Sequence, residues 1–242
     1  MTNNNDEYLS IGEAAKLLEV SIDTLRRWDE SGKLRAVRSA GSHRRYKKND
    51  IEIFLSDIWD MALNWVFAKE PTELPHVFYC QTSAIFQARL TKMQTALEAD
   101  SSLSEIFTLL VAITGEIGNN SFDHNLGNWP DVPGIMFAYD VNKRQIVLAD
   151  RGLGILQTLK RIRPDLNSHS EALKVAFTEI ISGREPESRG NGLKFVKKVC
   201  EDYPIDIFFR TGDASLTLKG SQKNLDIEPV DPIKGCLAII TY

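Results

Sequence analysis

The apolar pattern of the first fifty residues predicts two short helices joined by a tight turn. In the segment SIGEAAKLL the apolar positions recur at helical spacing. Ser10 is the first residue of this segment and Glu13 lies three residues later, which predicts a capping box at the helix start. A second helix is expected to begin after Ser21 and to end at Gly32. This arrangement is typical of a helix-turn-helix.

A small β-wing and a further helix are predicted after these two helices. The segment LRAVRSAGSHRRYKK contains two alternating stretches around Ala40, Gly41 and Ser42, which favours a short hairpin. The segment NDIEIFLSDI then returns to helical periodicity. We therefore expect one domain over residues 1–56.

The middle of the chain, residues 57–102, is predicted to form a helical linker and packing layer. WDMALNWVFAKE has the pattern of an amphipathic helix that Pro71 and Pro75 would stop. A second helical pattern runs from about Thr82 to Ala99. The apolar content of both segments argues against a flexible tether.

The pattern from residue 103 to residue 242 predicts helices packed on a sheet. A long helix is expected from Ser104 to about Leu126, followed by the hairpin strands GIMFAYD and RQIVLAD. Loop and helix from Leu156 to Ser182, a polar loop over 183–189 and the helix GNGLKFVKKVCED come next. The strands IDIFFR, SLTLKG and CLAIITY close the chain. The fold class is therefore α+β, with helices on a mixed, mostly antiparallel sheet of about five strands.

Composition and charge add one local asymmetry to this picture. The chain is 43% hydrophobic and 26% charged with a net charge of −4, which is ordinary for a globular protein. From Lys33 to Lys48, however, it carries seven lysine and arginine residues and no acidic residue. Such a local basic segment is typical of a surface that contacts DNA.

Cysteine usage and the apolar runs indicate a cellular compartment. Cys80, Cys200 and Cys236 are far apart and match neither a zinc spacing nor a disulfide framework, which favours a reducing environment. The start MTNNNDEYLS lacks the features of a secretory signal. No apolar run approaches the roughly 20 residues that span a bilayer. We expect a cytoplasmic protein with no membrane partner.

The segment GEIGNNSFDHN places an unusual polar stripe on the long helix. Glu116, Asn120 and His124 are spaced four residues apart and share one face, with Asn119 and Asp123 on a neighbouring stripe. A face lined with a carboxylate and amide oxygens suits a hard cation such as Mg²⁺. The alternative is a solvated helix face.

Two glycine-rich segments have patterns that suit a phosphorylated ligand. Asp150 to Ile155, read as DRGLGI, directly follows an apolar strand, so its glycines would let the backbone approach a ligand closely. Arg189 to Leu193, read as RGNGL, opens a helix, where free backbone amides favour phosphate. Each segment alone is weak evidence, because turns also require glycine.

Taken together, EIGNNSFDH, DRGLGI and RGNGL resemble the N, G1 and G2 boxes of the GHKL ATP-binding superfamily. The closing GCLAIITY is similar to the final glycine and strand of that family's core, and the resemblance covers roughly residues 103–242. It implies an α/β sandwich that binds ATP and Mg²⁺. Ser188 departs from the fuller G2 box of histidine kinases, and no phospho-acceptor helix is recognisable.

The resemblance also implies roles for individual residues. Asn120 would be the Mg²⁺ ligand, and Glu116 would orient or deprotonate the attacking water. Asp150 would bind the adenine amino group. The remaining cofactor-binding positions that it implies are Asp123, His124, Gly152, Gly154, Arg189, Gly190, Gly192 and Leu193.

The front of the chain, from Tyr8 to Leu55, resembles the winged MerR-type helix-turn-helix of MerR regulators and phage excisionases. This resemblance implies that the second helix enters the major groove of double-stranded DNA while the wing contacts the backbone. The candidate DNA contacts are Thr24, Arg26, Arg27, His43, Arg44, Arg45, Tyr46 and Lys47. For Tyr46 and Trp28 the alternative is core packing, and for the arginines it is solvated charge.

The sequence therefore leads to one main hypothesis and two alternatives. In the main hypothesis, a homodimeric DNA-binding regulator uses Mg-ATP binding or hydrolysis to modulate its helix-turn-helix. In the first alternative the chain is a serine protein kinase that resembles anti-sigma-factor kinases and acts on a protein partner. In the second it is an ATP-driven component of DNA remodelling or defence.

Overall fold

The computed structural model describes residues 7–31, 34–39, 41–55, 57–179 and 192–242. The chain divides into two compact units, Met1–Asp60 and Met61–Tyr242. The three-part division expected from the sequence, 1–56, 57–102 and 103–242, stays a prediction. None of the described helices is long and apolar enough to cross a membrane.

The first unit is built from short helices and a three-stranded antiparallel sheet with the strand order β1-β3-β2. Its elements are β1 (Tyr8–Ser10), α1 (Ile11–Leu17), α2 (Ile22–Ser31), β2 (Val37–Arg38), β3 (Arg44–Lys47) and α3 (Lys48–Leu55). The expected capping box of Ser10 and Glu13 is confirmed. The wing strands are also confirmed, and β1 adds a third strand that the sequence did not reveal, because three residues are too few to show a period.

Helices packed on a five-stranded sheet form the second unit. The remaining elements are α4 (Ile58–Phe67), β4 (Tyr79–Cys80), α5 (Ser83–Glu98), a short 3-10 helix (Ser101–Leu103), α6 (Phe107–Asn125), β5 (Ile135–Asp140), β6 (Gln145–Asp150), α7 (Gly154–Leu159), α8 (His169–Thr178), α9 (Gly192–Asp202), β7 (Asp206–Leu218) and β8 (Leu225–Thr241). The division between the units falls within α4.

The sheet is antiparallel throughout its described strands, in the order β4-β5-β6-β8-β7. Its inner face packs on α5, α6, α8 and α9 through one apolar cluster, which includes Phe86, Ile117 and Phe209. Residues of the opposite face, such as Met136 and Val147, are also fully buried. Burial on both faces explains why β5 and β6 read as nearly continuous apolar runs. The α+β class is thus confirmed.

β7 corrects one sequence expectation. IDIFFR and SLTLKG were expected as separate strands, because the glycine between them is a turn signal. Gly212 instead has a φ of +53° within one continuous strand, at a register shift against β8. The glycine therefore serves as a bulge, which bends the strand without ending it.

The first part of β8 has a strand neighbour on one side, so its other side forms an edge of the sheet. Residues 225–233 pair with β7, whereas the pairing with β6 begins at Cys236. Pro229 and Pro232 lie in this part of β8 and have no backbone N–H to donate. Proline is tolerated in a strand at such an edge, where the ladder hydrogen bond is not required.

A close helix contact positions α6 against α5. A Cβ atom at position 118 would lie 2.2 Å from the ring of Phe86, so only glycine permits the observed approach. One turn earlier, a Cβ atom at position 115 would lie 3.4 Å from Leu90. The two glycines of GEIG therefore set the depth at which the polar stripe of α6 sits in the unit.

The buried guanidinium of Arg151 joins three segments of the second unit. Its side chain is fully buried, and its Nε and Nη2 donate to Asp131 Oδ2 at 2.9 and 2.6 Å. It also donates to the backbone carbonyl of Trp65, near the C-terminal end of α4, where a cation is favoured. A further bond of 3.5 Å reaches Lys69 O. The residue after β6 thus fixes the chain that follows α4.

We predict that Arg151→Met lowers the free energy of unfolding by at least about 2 kcal/mol, because the Trp65 carbonyl and the Asp131 carboxylate lose the donors that the buried guanidinium supplies. Urea unfolding followed by circular dichroism measures this loss. The matched control is Arg144→Met. Arg144 donates to Ser102 Oγ at 2.8 Å from a side chain that is 40% exposed. Arg144→Met should therefore lower the free energy of unfolding by less than about 1 kcal/mol. Equal losses in the two variants would contradict the prediction.

Candidate functional site

In the first unit, α2 presents a basic face to solvent. Arg26 and Arg27 are exposed, and Thr24 is partly exposed. Ser21 caps the helix, because its Oγ accepts from the backbone N–H of Thr24 at 3.0 Å. Arg26 pairs with Asp23 at 2.7 Å across an exposed surface, a contact that solvent weakens. The three predicted DNA contacts on α2 therefore lie within one helical turn.

The alternation of β3 separates the predicted wing contacts into two sets. Arg45 is exposed and Lys47 is partly exposed on one face of the strand, while His43 is exposed just before it. Arg44 points to the other face, where its Nε donates to Asp29 Oδ2 at 2.6 Å and its side chain is 19% exposed. Arg44 is therefore already paired with an acidic residue of α2.

Tyr46 is corrected as a DNA contact. Its side chain is 0% exposed and belongs to the apolar cluster of the unit. Its hydroxyl donates to Leu25 O at 3.1 Å, and burial raises its pKa. A buried ring with a satisfied hydroxyl cannot reach a phosphate, so the alternative of core packing holds for Tyr46.

In the second unit, the carboxylate of Asp150 lies at the end of β6 and is 2% exposed. It accepts from Ser121 Oγ at 2.6 Å and from Gly152 N at 2.8 Å. The backbone N–H of Cys236 on β8 donates as well. Burial raises the pKa of Asp150, and these hydrogen bonds oppose the rise. Three donors therefore occupy three of the roughly four acceptor positions of this carboxylate.

The polar stripe of α6 meets the start of α9. Glu116 is exposed and Asn120 is partly exposed on α6. A Cβ atom at Gly192, the first residue of α9, would lie 2.4 Å from Glu116 Oε2 and 3.5 Å from Asn120 Nδ2. The predicted base, the predicted metal ligand and a helix N-terminus are therefore adjacent.

The other predicted cofactor residues take different positions. Asp123 and His124 are exposed near the C-terminal end of α6. Leu193 is partly buried and packs against the apolar core. Gly154 has a φ of +73° and opens α7 beside Thr211. Arg189 and Gly190 lie outside the described residues.

Three polar residues that the sequence did not single out hold the DRGLGI segment in place: Ser121, Asn125 and Thr211. Ser121 is the donor to Asp150. Asn125 accepts from Leu153 N at 2.8 Å and donates to Ser121 O at 2.7 Å. Thr211 accepts from Ile155 N at 3.2 Å and donates to Gly235 O at 3.0 Å. Asn125 lies near the end of a predicted helix and Thr211 lies between two predicted strands, so neither position carried a signal in the sequence.

These residues fit a bound Mg-nucleotide in the chemistry of their donors. Gly235 lets the backbone of β8 lie close to Asp150, since a Cβ atom at Gly235 would lie 2.1 Å from Asp150 O. The side-chain amide of Asn120 lies beside the start of α9, where backbone amides favour phosphate. Within the described ranges, no cluster of three or more His, Cys, Asp or Glu side chains is placed to hold a metal ion. Phosphates supply much of the coordination in nucleotide sites, so one protein ligand suits Mg²⁺ there.

Comparison with known proteins bears on the first unit. Residues 10–46 match the family model for the MerR family regulatory protein. The match covers α1, α2 and the wing, and it supports a MerR-type helix-turn-helix, the DNA-binding module of regulators, at the N-terminal end of the chain. No curated protein sequence matches the chain.

We predict that Gly152→Ala destabilises the second unit by about 1–3 kcal/mol through overpacking. The added Cβ atom would lie 2.3 Å from Asn125 Nδ2, and that amide has two hydrogen bonds to lose. Gly12→Ala is the control, because nothing lies within 4 Å of its Cβ position in α1. Urea unfolding should show a lower midpoint than wild type for Gly152→Ala. The midpoint of Gly12→Ala should not be lowered. A wild-type midpoint for Gly152→Ala would contradict the geometry.

Proposed function

We propose that this chain is a DNA-binding regulatory protein whose second unit binds ATP with Mg²⁺, and that nucleotide binding or hydrolysis modulates DNA binding. The observation that carries the nucleotide part is the meeting of α6, the end of β6 and the start of α9. These elements bring the polar stripe, the buried Asp150 carboxylate and a glycine-started helix into one region of the fold.

The DNA part is supported by the family match and by the exposed cations of the first unit. Arg26 and Arg27 on α2 and Arg45 on the wing are exposed. Contacts from such residues to phosphates release counterions, so binding should weaken as salt is raised. The recognition helix would supply base contacts from its N-terminal half.

The adenine end of the proposed site depends on Asp150. An ionised carboxylate accepts a hydrogen bond from an exocyclic amine, and it cannot pair with an exocyclic carbonyl oxygen in that position, because both groups are acceptors. Ser121 and the N–H of Gly152 fix the orientation of the carboxylate. Thr211 and Asn125 fix the backbone on which Gly152 and Gly154 lie. The recognition group is therefore preorganised by its neighbours.

The phosphate end depends on α6 and α9. The first amides of α9 would donate to phosphate oxygens, and Asn120 would contribute its amide oxygen to Mg²⁺. Bound Mg²⁺ would neutralise charge on the phosphates. Glu116 lies next to Gly192 and would orient or deprotonate a water.

Modulation requires that the nucleotide bind one arrangement of the protein better than another. Ordinary couplings of this kind amount to about 1–3 kcal/mol, or roughly a 5- to 150-fold change in affinity. The coupling is reciprocal, so DNA should change nucleotide affinity by the same factor. Titration of the full chain with DNA in the presence and absence of Mg-ATP measures it.

We predict that Asp150→Asn and Asn120→Ala each weaken Mg-ATP binding at least about tenfold, since each removes one direct polar contact to the ligand. Isothermal titration calorimetry of the full chain measures the affinities. Asp226→Asn is the control, because Asp226 is exposed on β8 and should leave the affinity unchanged. Wild-type affinity in both site variants would exclude this assignment.

We further predict that Glu116→Gln lowers ATP turnover by about 10²-fold or more while Mg-ATP still binds, because general-base catalysis contributes that much. Turnover is measured with and without duplex DNA. The destination of the γ-phosphate identifies the reaction. Free phosphate indicates hydrolysis, whereas phosphate on a protein would favour the kinase alternative. Unchanged turnover in Glu116→Gln would remove Glu116 as the base.

A further inference from the structure

One carboxylate in the first unit contacts three points of the wing. Asp29 lies on α2, and its Oδ1 accepts from the backbone N–H of Ala36 at 2.9 Å, just before β2. Its Oδ2 accepts from Arg38 Nη2 at 3.0 Å and from Arg44 Nε at 2.6 Å. β2 and β3 are thus both tied to the same side chain of the helix.

The environment keeps Asp29 ionised. Burial alone would raise its pKa, but the hydrogen bonds from Ala36 and Arg44 and the charges of Arg38 and Arg44 outweigh it and lower the pKa. The side chain of Asp29 is 11% exposed, so these contacts are shielded from solvent more than an ordinary surface pair. Charge-assisted hydrogen bonds of this kind are among the stronger ones in proteins.

The neighbouring acidic residue provides a contrast. Glu30 is 68% exposed on the same helix and contacts Arg44 Nη2 at 3.3 Å. Like Asp29, it is a carboxylate within salt-bridge distance of Arg44 on the wing. It makes no hydrogen bond to the wing backbone among those described.

We propose that Asp29 is a positioning residue for DNA binding, which sets the wing against α2 so that both contact the duplex together. The proposal rests on the DNA-binding part of the proposed function. In this arrangement Arg38 and Arg44 hold the wing in place through Asp29, while Arg45 and Lys47 on the opposite face of β3 remain available for phosphate. Association is favoured when contacting elements are already in their bound geometry.

This proposal predicts a sign opposite to that of simple electrostatics. Removing an acidic residue beside a DNA-binding surface makes the surface more positive, which by itself strengthens binding to a polyanion. Loss of wing positioning weakens binding instead. The sign of the change therefore separates the two effects.

The experiment compares Asp29→Asn with Glu30→Gln in the full chain. Both substitutions remove one negative charge from adjacent positions of α2. The probe is a set of duplexes that the wild-type chain selects from a random-sequence pool at low salt, and fluorescence anisotropy measures dissociation constants over a range of salt concentrations.

We expect Asp29→Asn to bind these duplexes about tenfold more weakly than wild type, as the loss of charge-assisted hydrogen bonds would require. Glu30→Gln should bind as well as wild type or better. If Asp29→Asn binds as tightly as Glu30→Gln, the positioning role is wrong. Tighter binding with a steeper salt dependence would show instead that Asp29 withholds Arg38 and Arg44 from phosphates, which also overturns it.

A readout without DNA tests the same role directly. Hydrogen exchange of the Ala36 amide should accelerate in Asp29→Asn and stay near wild type in Glu30→Gln, because only the first variant weakens its acceptor. If Asp29→Asn does not fold, Asp29→Glu replaces it. That variant keeps the charge but moves the carboxylate by about 1.5 Å, so weaker binding is again expected. Unchanged binding and exchange would contradict the proposal.

The two failures are distinguishable. If the wild-type chain enriches no duplex from the pool at low salt, DNA binding itself is wrong and the positioning role is lost with it. If the wild-type chain binds duplexes and Asp29→Asn is no weaker than Glu30→Gln, the positioning role alone is wrong.

Discussion

The second unit depends on the burial of one carboxylate at a point where three elements meet. Removing an ionisable group from water is costly unless polar partners replace the lost hydration. Asp150 on β6 obtains those partners from Ser121 on α6, from its own loop and from the backbone of β8. The helix, the loop and the two central strands must therefore adopt compatible positions together, and the glycine-rich segment has little freedom left.

In the first unit, a carboxylate with several hydrogen-bond donors likewise holds the wing against α2. Asp29 combines one backbone N–H with two arginine side chains, and Tyr46 adds a buried hydroxyl bond from β3 to α2. In both units an acidic residue thus fixes a connecting segment that has no apolar core of its own. The residues that would contact a ligand or DNA lie next to these acidic groups, and their geometry depends on them.

Much of this fold could be predicted from periodicity, and the exceptions have physical reasons. The helices, the β5–β6 hairpin and the capping box at Ser10 follow from local patterns. The two-residue strand β4 and the bulge at Gly212 depend on tertiary pairing, which local patterns do not carry. At the site, Glu116, Asn120 and Asp150 stood out because polar residues interrupt apolar elements there. Asn125 and Thr211 did not, because their importance comes from contacts distant in sequence. Tyr46 was a candidate DNA contact because alternation along a strand separates its two faces without saying which one is buried. The position of α2 decides that.

The proline-containing edge of β8 has a consequence for how this protein can associate. A strand added from another molecule needs a regular row of donors and acceptors, and Pro229 and Pro232 interrupt the row of donors. Asp226, Glu228 and Asp231 add like charges along the same stretch. The edge that a long, exposed hairpin would otherwise offer as a template for intermolecular sheet growth is therefore poorly suited to it. Unwanted polymerisation along this side is opposed by the sequence of the strand itself.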